Sequence, residues 1–146
     1  MHLAWLMWLA AIMPPHLSNQ TCLATTVYLE ARGQPVLGQK AVAEVAMRRR
    51  ASGLWGDNVC SVVNAPKQFA PTLVPPSTSL NNLVAWKRAW NIAGKALVNW
   101  SLPSSERTYV VPGANSFYAT SIAPPRWAQD EAPLAVIGSH RFYAVN

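Results

Sequence analysis

Proline and glycine placement constrains this chain more than any other feature, because proline lacks a backbone N–H and fixes φ, ending helices and central strands where it falls. Pro14-Pro15 closes one apolar run, Gly33 and Pro35 close a second segment, and Pro66, Pro71, Pro75 and Pro76 crowd the span 66–79. Regular structure is confined to the intervals between them. The first interval, Leu3 to Met13 (LAWLMWLAAIM), is shorter than the ~20 residues a membrane-spanning helix needs. No Lys or Arg precedes it and no small-x-small cleavage site follows, so a packing or interfacial segment is expected rather than a cleaved signal. Trp5, Trp8, Leu9 and Ile12 share one helical face, which suits either role.

Ser18-Asn19-Gln20-Thr21 offers N-cap residues before Cys22, Leu23, Val27, Tyr28 and Ala31, which recur at helical intervals. With Gly33 as C-cap, this predicts a short helix ending just after Glu30. A second helix is expected from Val36 to Arg49, burying Val42, Val45 and Ala46. Residues 66–79 read as an irregular loop carrying Gln68-Phe69. From Leu80 to Trp100, Leu83, Trp86, Trp90, Ala93 and Leu97 predict the longest helix. The last third changes character: Thr108-Tyr109-Val110-Val111, Ser116-Phe117-Tyr118 and Phe142-Tyr143-Ala144-Val145 are β-branched or aromatic and read as strands. Helices first and short strands last imply a single α+β domain over residues 18–146, preceded by an apolar segment over 1–17.

At 146 residues the chain is one domain's worth, and 51% hydrophobic with 12% charged residues excludes a disordered or acidic solvating protein. Twelve Lys+Arg against six Asp+Glu give a net charge of +6, which attracts nucleic acid, anionic lipid and anionic wall polymer alike. The densest cluster, Arg48-Arg49-Arg50, is either a solvated helix C-terminus or an anion-facing patch; the former is the plainer reading. Cys22 and Cys60 lack the short ligand spacing of a zinc site. In an oxidising compartment they could form a disulfide worth roughly 3–4 kcal/mol, otherwise two small buried hydrophobes; the bridge is slightly favoured.

Six acids make the search for a proton donor short: Glu30, Glu44, Asp57, Glu106, Asp130 and Glu131. Glu44 lies mid-helix and Asp57 sits where an N-cap before Val59 belongs, while Glu106 and Asp130-Glu131 occupy polar turns. Glu30 stands apart. It falls in the last turn of an apolar helix, where carbonyl dipoles disfavour a negative charge, and burial would raise its pKa further. An acid held protonated near neutrality can donate a proton. Arg32 could instead pair with it and pull the pKa back. His2, His16 and His140 are too scattered for a helical metal pair, and no Gly-x-Ser-x-Gly elbow, phosphate loop or dinucleotide fingerprint occurs, so neither metal nor cofactor is expected. Among the aromatics, Trp86 and Trp90 read as core and Trp127 as lining a groove.

Taken in order, Cys22-Leu23-Ala24, Val27-Tyr28-Leu29-Glu30-Ala31-Arg32-Gly33, Pro35, Gly38-Gln39, Ala41-Val42-Ala43, Val59-Cys60, Val62-Val63, Gln68-Phe69 and Gly138-Ser139-His140 with Phe142-Tyr143 resemble the catalytic domain of the spore-cortex-lytic family of cell wall hydrolases. The resemblance covers about residues 21 to 143, and the Tyr-x-Glu-Ala-Arg-Gly block is its most specific part. It implies a lysozyme-like fold and cleavage of peptidoglycan between N-acetylmuramic acid and N-acetylglucosamine. It also implies Glu30 as the catalytic residue. The groove-lining candidates are Gln68, Phe69, Tyr118, Trp127, His140 and Tyr143, and for all of these but Phe69 plain packing is an equal explanation. Family members are often lytic transglycosylases, which need one acid where ordinary glycosidases use two. The chain departs from the pattern at Gln34, where a second Glu is common, at Arg48-Arg49, where Asn-Arg is usual, and at Tyr118, where a histidine is common. The expectation is a cofactor-free monomer acting on peptidoglycan glycan strands as a phage endolysin or a bacterial wall-remodelling enzyme. It would sit in the periplasm or cell envelope, or leave the host cytoplasm at phage lysis, with weak membrane association through residues 3–13 and no nucleic-acid partner. Hydrolysis and transglycosylation begin with the same protonation and stay open at this stage, as does a non-catalytic peptidoglycan-binding envelope protein that keeps the groove without turnover.

Overall fold

A computed structural model describes all residues 1–146. Five helices come first, α1 (Leu3–Ile12), α2 (Pro15–Ala31), α3 (Val36–Ser52), α4 (Val59–Val63) and α5 (Leu83–Ser101), followed by strands β1 (Ser116–Ala119), β2 (Ala135–Ile137) and β3 (His140–Tyr143). This is the expected α+β arrangement. The strands form one antiparallel sheet in the order β1-β3-β2.

α2 is the central helix, and every residue from Thr21 to Tyr28 is buried. A helix enclosed on all sides needs its polar groups satisfied internally. Thr25 and Thr26 do this by donating to the carbonyls of Thr21 and Cys22, at 2.7 and 3.0 Å. The helix begins at Pro15, so Ser18–Thr21 lies inside it and caps nothing. Pro15 occupies the first turn, where its missing N–H costs no hydrogen bond. The division expected after residue 17 thus falls within α2. Cys22 and Cys60 form a disulfide that ties α2 to α4.

α1 packs on α2 through Leu3, Leu6 and Ala10, whereas Trp5, Trp8 and Ile12 face outward at 46, 58 and 63% exposure. The N-terminal backbone is stitched to the proline-rich loop: the N–H groups of Leu3 and Ala4 donate to Thr78 and Pro76, and that of Leu80 donates to Met1. No helix is long and apolar enough to cross a membrane.

α3 extends three residues beyond the expected Arg49 and stops at Gly53, whose φ of 72° suits a left-handed C-cap. At α4 the N-cap is Asn58 rather than Asp57, in a reciprocal capping box with Ser61. α5 starts at Leu83 with Asn82 as its cap; Ala85, Ala89, Ile92, Ala93 and Trp100 carry its buried face, while Leu83 is exposed and Trp86 and Trp90 are half-buried.

Thr108–Val111 is not a strand. The N–H groups of Val110 and Val111 donate to the two carboxylate oxygens of Glu44 at 2.6 and 2.8 Å, so this segment's hydrogen bonds go to a side chain rather than to a ladder. β2 is the strand the sequence reading missed; it joins β3 through Gly138-Ser139, with Gly138 at φ 57°. The register pairs Phe117 with Phe142 and Tyr118 with Arg141. Paired side chains share a face, so Phe117, Phe142 and His140 point one way and Tyr118, Arg141 and Tyr143 the other. Phe142 enters the main core, whereas Tyr118 and Tyr143 form a separate cluster with Ala128, edged by Trp127 and Val145.

Candidate active site

The site begins where α2 leaves the core. Glu30 sits one residue before the helix end, half-buried between the half-buried Leu29 and the buried Ala31. Phe69, with no exposed surface, anchors the loop after α4 and delivers the Ala70 N–H to Glu30 Oε1 at 2.6 Å. Lys67, two residues before Phe69, holds φ 62°, a left-handed conformation unusual for a side-chain-bearing residue. Strain of this kind persists where surrounding structure imposes it, and it concentrates at functional sites.

Arg49 faces Glu30 from α3. Its guanidinium is buried between the rings of Trp55 and Phe69, 4.8 Å from each centroid, and donates to the Asn115 carbonyl at 2.6 Å, to Gln68 Oε1 at 3.1 Å and to Ser116 Oγ at 3.5 Å. One side chain therefore joins α3, the Phe69 loop and the start of β1 around Glu30. The two charges influence each other without direct contact, since the one ion pair in the chain is Glu44–Arg48.

Burial pushes the Glu30 carboxyl above the ordinary carboxylate range, while the Ala70 N–H and the Arg49 charge pull it back. Burial likewise brings Arg49 down to about 10, against the opposing pull of Glu30. No other carboxylate acts on Glu30. Glu44 is engaged by Val110, Val111 and Arg48, and Asp57, Glu106, Asp130 and Glu131 are exposed, Glu106 at the end of a short 3₁₀ turn and the others on loops. Arg32 does not pair with Glu30; its guanidinium lies over the Tyr28 ring at 5.0 Å. No three His, Cys, Asp or Glu side chains come together as a metal-ligating group.

The remaining candidates divide. Gln68 is exposed two residues before Ala70, whose N–H meets Glu30, and is fixed by Arg49, so its side chain is open to a ligand. Phe69 is corrected from a contact residue to a core residue, because it has no surface to offer. His140 lies on the inner sheet face with its ring edge-on to Phe117 at 5.3 Å, its Nδ1 unpartnered, and its pKa lowered by burial. Tyr118, Tyr143 and Trp127 belong to the outer sheet face: the tyrosines stack at 5.9 Å and the indole meets them edge-on at 6.1 and 5.4 Å. With Tyr118 and Tyr143 buried, this cluster has the character of packing, and Trp127 offers the most exposed ring of the three.

The sequence reading treated Arg48–Arg50 as one group, but the structure separates them. Arg48 donates to the carbonyls of Val111 and Ala114 and to Glu44, Arg49 serves the Glu30 site, and Arg50 alone is exposed. The signal for Arg49 was present in the helical phase, since positions 42, 45, 46 and 49 follow the buried stripe.

Comparison with known proteins agrees with this architecture. Residues 33–143 match the model of a family described as cell wall hydrolase, a span that begins just after Glu30. A spore cortex-lytic enzyme of Bacillus subtilis is 30% identical over 135 residues, covering 91% of this chain and 40% of that protein. A spore cortex-lytic enzyme of Bacillus cereus is 26% identical over 126 residues, covering 82% and 42%. The chain thus spans about two fifths of the length of these relatives. The crystal structure of the catalytic domain of the Bacillus cereus SleB protein superposes with a TM-score of 0.61 at 24% identity, over 85% of this chain and 88% of that one. The chain belongs to the cell wall hydrolase family.

Proposed function

We propose that this protein degrades peptidoglycan by cleaving the N-acetylmuramic acid–N-acetylglucosamine bond through lytic transglycosylation, with Glu30 as both acid and base. The observation that carries this reading is a half-buried carboxyl at the end of α2, held by the Ala70 N–H at 2.6 Å and raised by burial above the ordinary carboxylate range, with no second carboxylate acting on it. Glu30 gives its proton to the glycosidic oxygen as the C1–O bond breaks, releasing the N-acetylglucosamine hydroxyl and leaving oxocarbenium character on the muramyl sugar. The resulting carboxylate takes the proton from the muramyl C6 hydroxyl as O6 bonds to C1, so the enzyme returns to its starting state and the product ends in a 1,6-anhydro sugar. The opposing influences on Glu30 suit the two roles: burial favours the acid before the first step, and Arg49 with the Ala70 N–H favours the carboxylate after it.

Gln68 is the side chain best placed to contact the glycan. The reading puts the protein at the cell envelope as a monomer, with the outward Trp5, Trp8 and Ile12 face free to meet the membrane interface. Its first test is turbidity loss of purified sacculi with wild type and Glu30→Gln. Wild type should clear the suspension and Glu30→Gln should not, with unchanged circular dichroism. Equal clearing by the two would overturn the role of Glu30, and saturable binding without clearing by wild type would make the protein a wall-binding module.

A further inference from the structure

A cleft with a cavity of about 240 Å³ lies between α3 and α5, its lining including Lys40, Ile92, Lys95, Ala96, Trp100 and Val110. It is separate from the Glu30 site. Positions 44 and 49 of α3 point about 140° apart at 3.6 residues per turn, and no residue of the α2 end, the Phe69 loop or β1 lines it.

The walls are already fixed. Asn99 donates to the Thr108 carbonyl and accepts from the Thr108 N–H, closing one end. Trp100 is held between the guanidinium groups of Arg48 and Arg107, at 5.4 and 4.7 Å. The one carboxylate in the lining, Glu44, is engaged by Arg48 and two backbone N–H groups. Lys40 and Lys95 are exposed and make neither a hydrogen bond nor an ion pair, leaving two ammonium groups at the rim of a floor built by Ile92, Ala96 and Val110. A cation pair over a small apolar floor is complementary to a carboxylate carried next to a small apolar group. At about 240 Å³ the cleft is below the ~300–1,000 Å³ of drug-sized sites, so it takes one residue rather than a glycan segment.

We propose that the α3–α5 cleft binds the carboxyl-terminal residue of a short peptide, with Lys40 and Lys95 receiving the carboxylate and Ile92, Ala96 and Val110 the small side chain, and that its natural occupant is the alanine end of a peptidoglycan stem peptide. The carboxylate site stands on the cleft alone; its assignment to a stem peptide rests on the proposed function. Such a site would hold the wall while the glycan is cut elsewhere.

The test is a titration of isotope-labelled protein with diacetyl-L-Lys-D-Ala-D-Ala and with its C-terminal amide, followed by amide resonances. The acid should shift resonances of Lys40, Lys95, Ala96 and Val110. The amide should bind roughly tenfold more weakly, and Lys40→Ala and Lys95→Ala should each weaken the acid roughly two- to fivefold. Glu30→Gln should titrate like wild type. Equal binding of acid and amide, shifts centred on Gln68, or no binding would overturn the proposal. Lysine-dependent binding by a protein that does not clear sacculi would keep the carboxylate site and remove the wall assignment. Clearing without binding that depends on Lys40 and Lys95 would overturn the cleft proposal and leave the proposed function standing.

Discussion

Glu44→Ala should destabilise the protein by about 3 kcal/mol. The Glu44 carboxylate accepts from Val110 N at 2.6 Å, from Val111 N at 2.8 Å and from Arg48 at 3.2 Å. Removing it orphans two backbone donors, and each unsatisfied buried donor costs about 1–3 kcal/mol. Val111 is buried and belongs at the upper part of that range; Val110 is half-buried and belongs at the lower. Arg48 keeps the carbonyls of Val111 and Ala114, so its loss adds at most about 1 kcal/mol. Against a total stability of about 5–15 kcal/mol, such a change is large. Glu44→Gln should be nearly as costly, about 2 kcal/mol, because the two N–H groups address different oxygens and one would then face an NH₂ donor. Urea denaturation at neutral pH with unchanged m-values is the assay. If both variants lie within ~0.5 kcal/mol of wild type, the carboxylate does not hold this segment and the reasoning fails.

Three further outcomes are expected. Reducing the Cys22–Cys60 bridge, which closes a separation of 38 residues, should lower stability by up to about 4 kcal/mol by chain entropy, read as a fall in the urea midpoint with added reductant; an unmoved midpoint would contradict this. Glu30 holds its proton more tightly folded than unfolded, so its stabilising contribution is complete below the ordinary carboxylate pKa and is lost as pH rises through the raised one. Glu30→Gln should therefore be more stable than wild type at pH 8 and not at pH 4, since glutamine still accepts from Ala70; a pH-independent difference would refute the linkage. Arg49→Met removes the charge that favours the Glu30 carboxylate, so the alkaline fall in sacculus clearing should move to higher pH, whereas Arg49→Lys should leave it near the wild-type position while losing stability. An alkaline limb that does not move in Arg49→Met would leave Arg49 a purely structural residue.

Glu30 could be singled out in the sequence because an acid in the last turn of an apolar helix runs against the carbonyl dipoles, and the structure shows burial raising its carboxyl above the ordinary range. The α2 boundary could not be read there, because Ser18–Thr21 look like caps only until tertiary packing extends the helix to Pro15. Thr108–Val111 has strand-forming side chains, but its amides are taken by Glu44, which lies more than sixty residues earlier and which no local pattern connects to it. β2 had the β-branched Val136-Ile137 and a following Gly138, a signal present and passed over. Arg49 was concealed by its neighbours: three arginines in a row look alike in composition, and only the phase of α3 distinguishes the buried one. The aromatic candidates were separated by strand register, which sends Phe117 and Phe142 inward and Tyr118 and Tyr143 outward and cannot be read before the pairing is known.

The most direct test of the central claim is mass spectrometry of the soluble fragments released from purified peptidoglycan by wild type and by Glu30→Gln. The account predicts muramyl fragments ending in 1,6-anhydro rings from wild type and none from the variant. Reducing muramyl ends from wild type would contradict single-acid transglycosylation and require a water-activating group, and anhydro ends from Glu30→Gln would contradict the role assigned to Glu30.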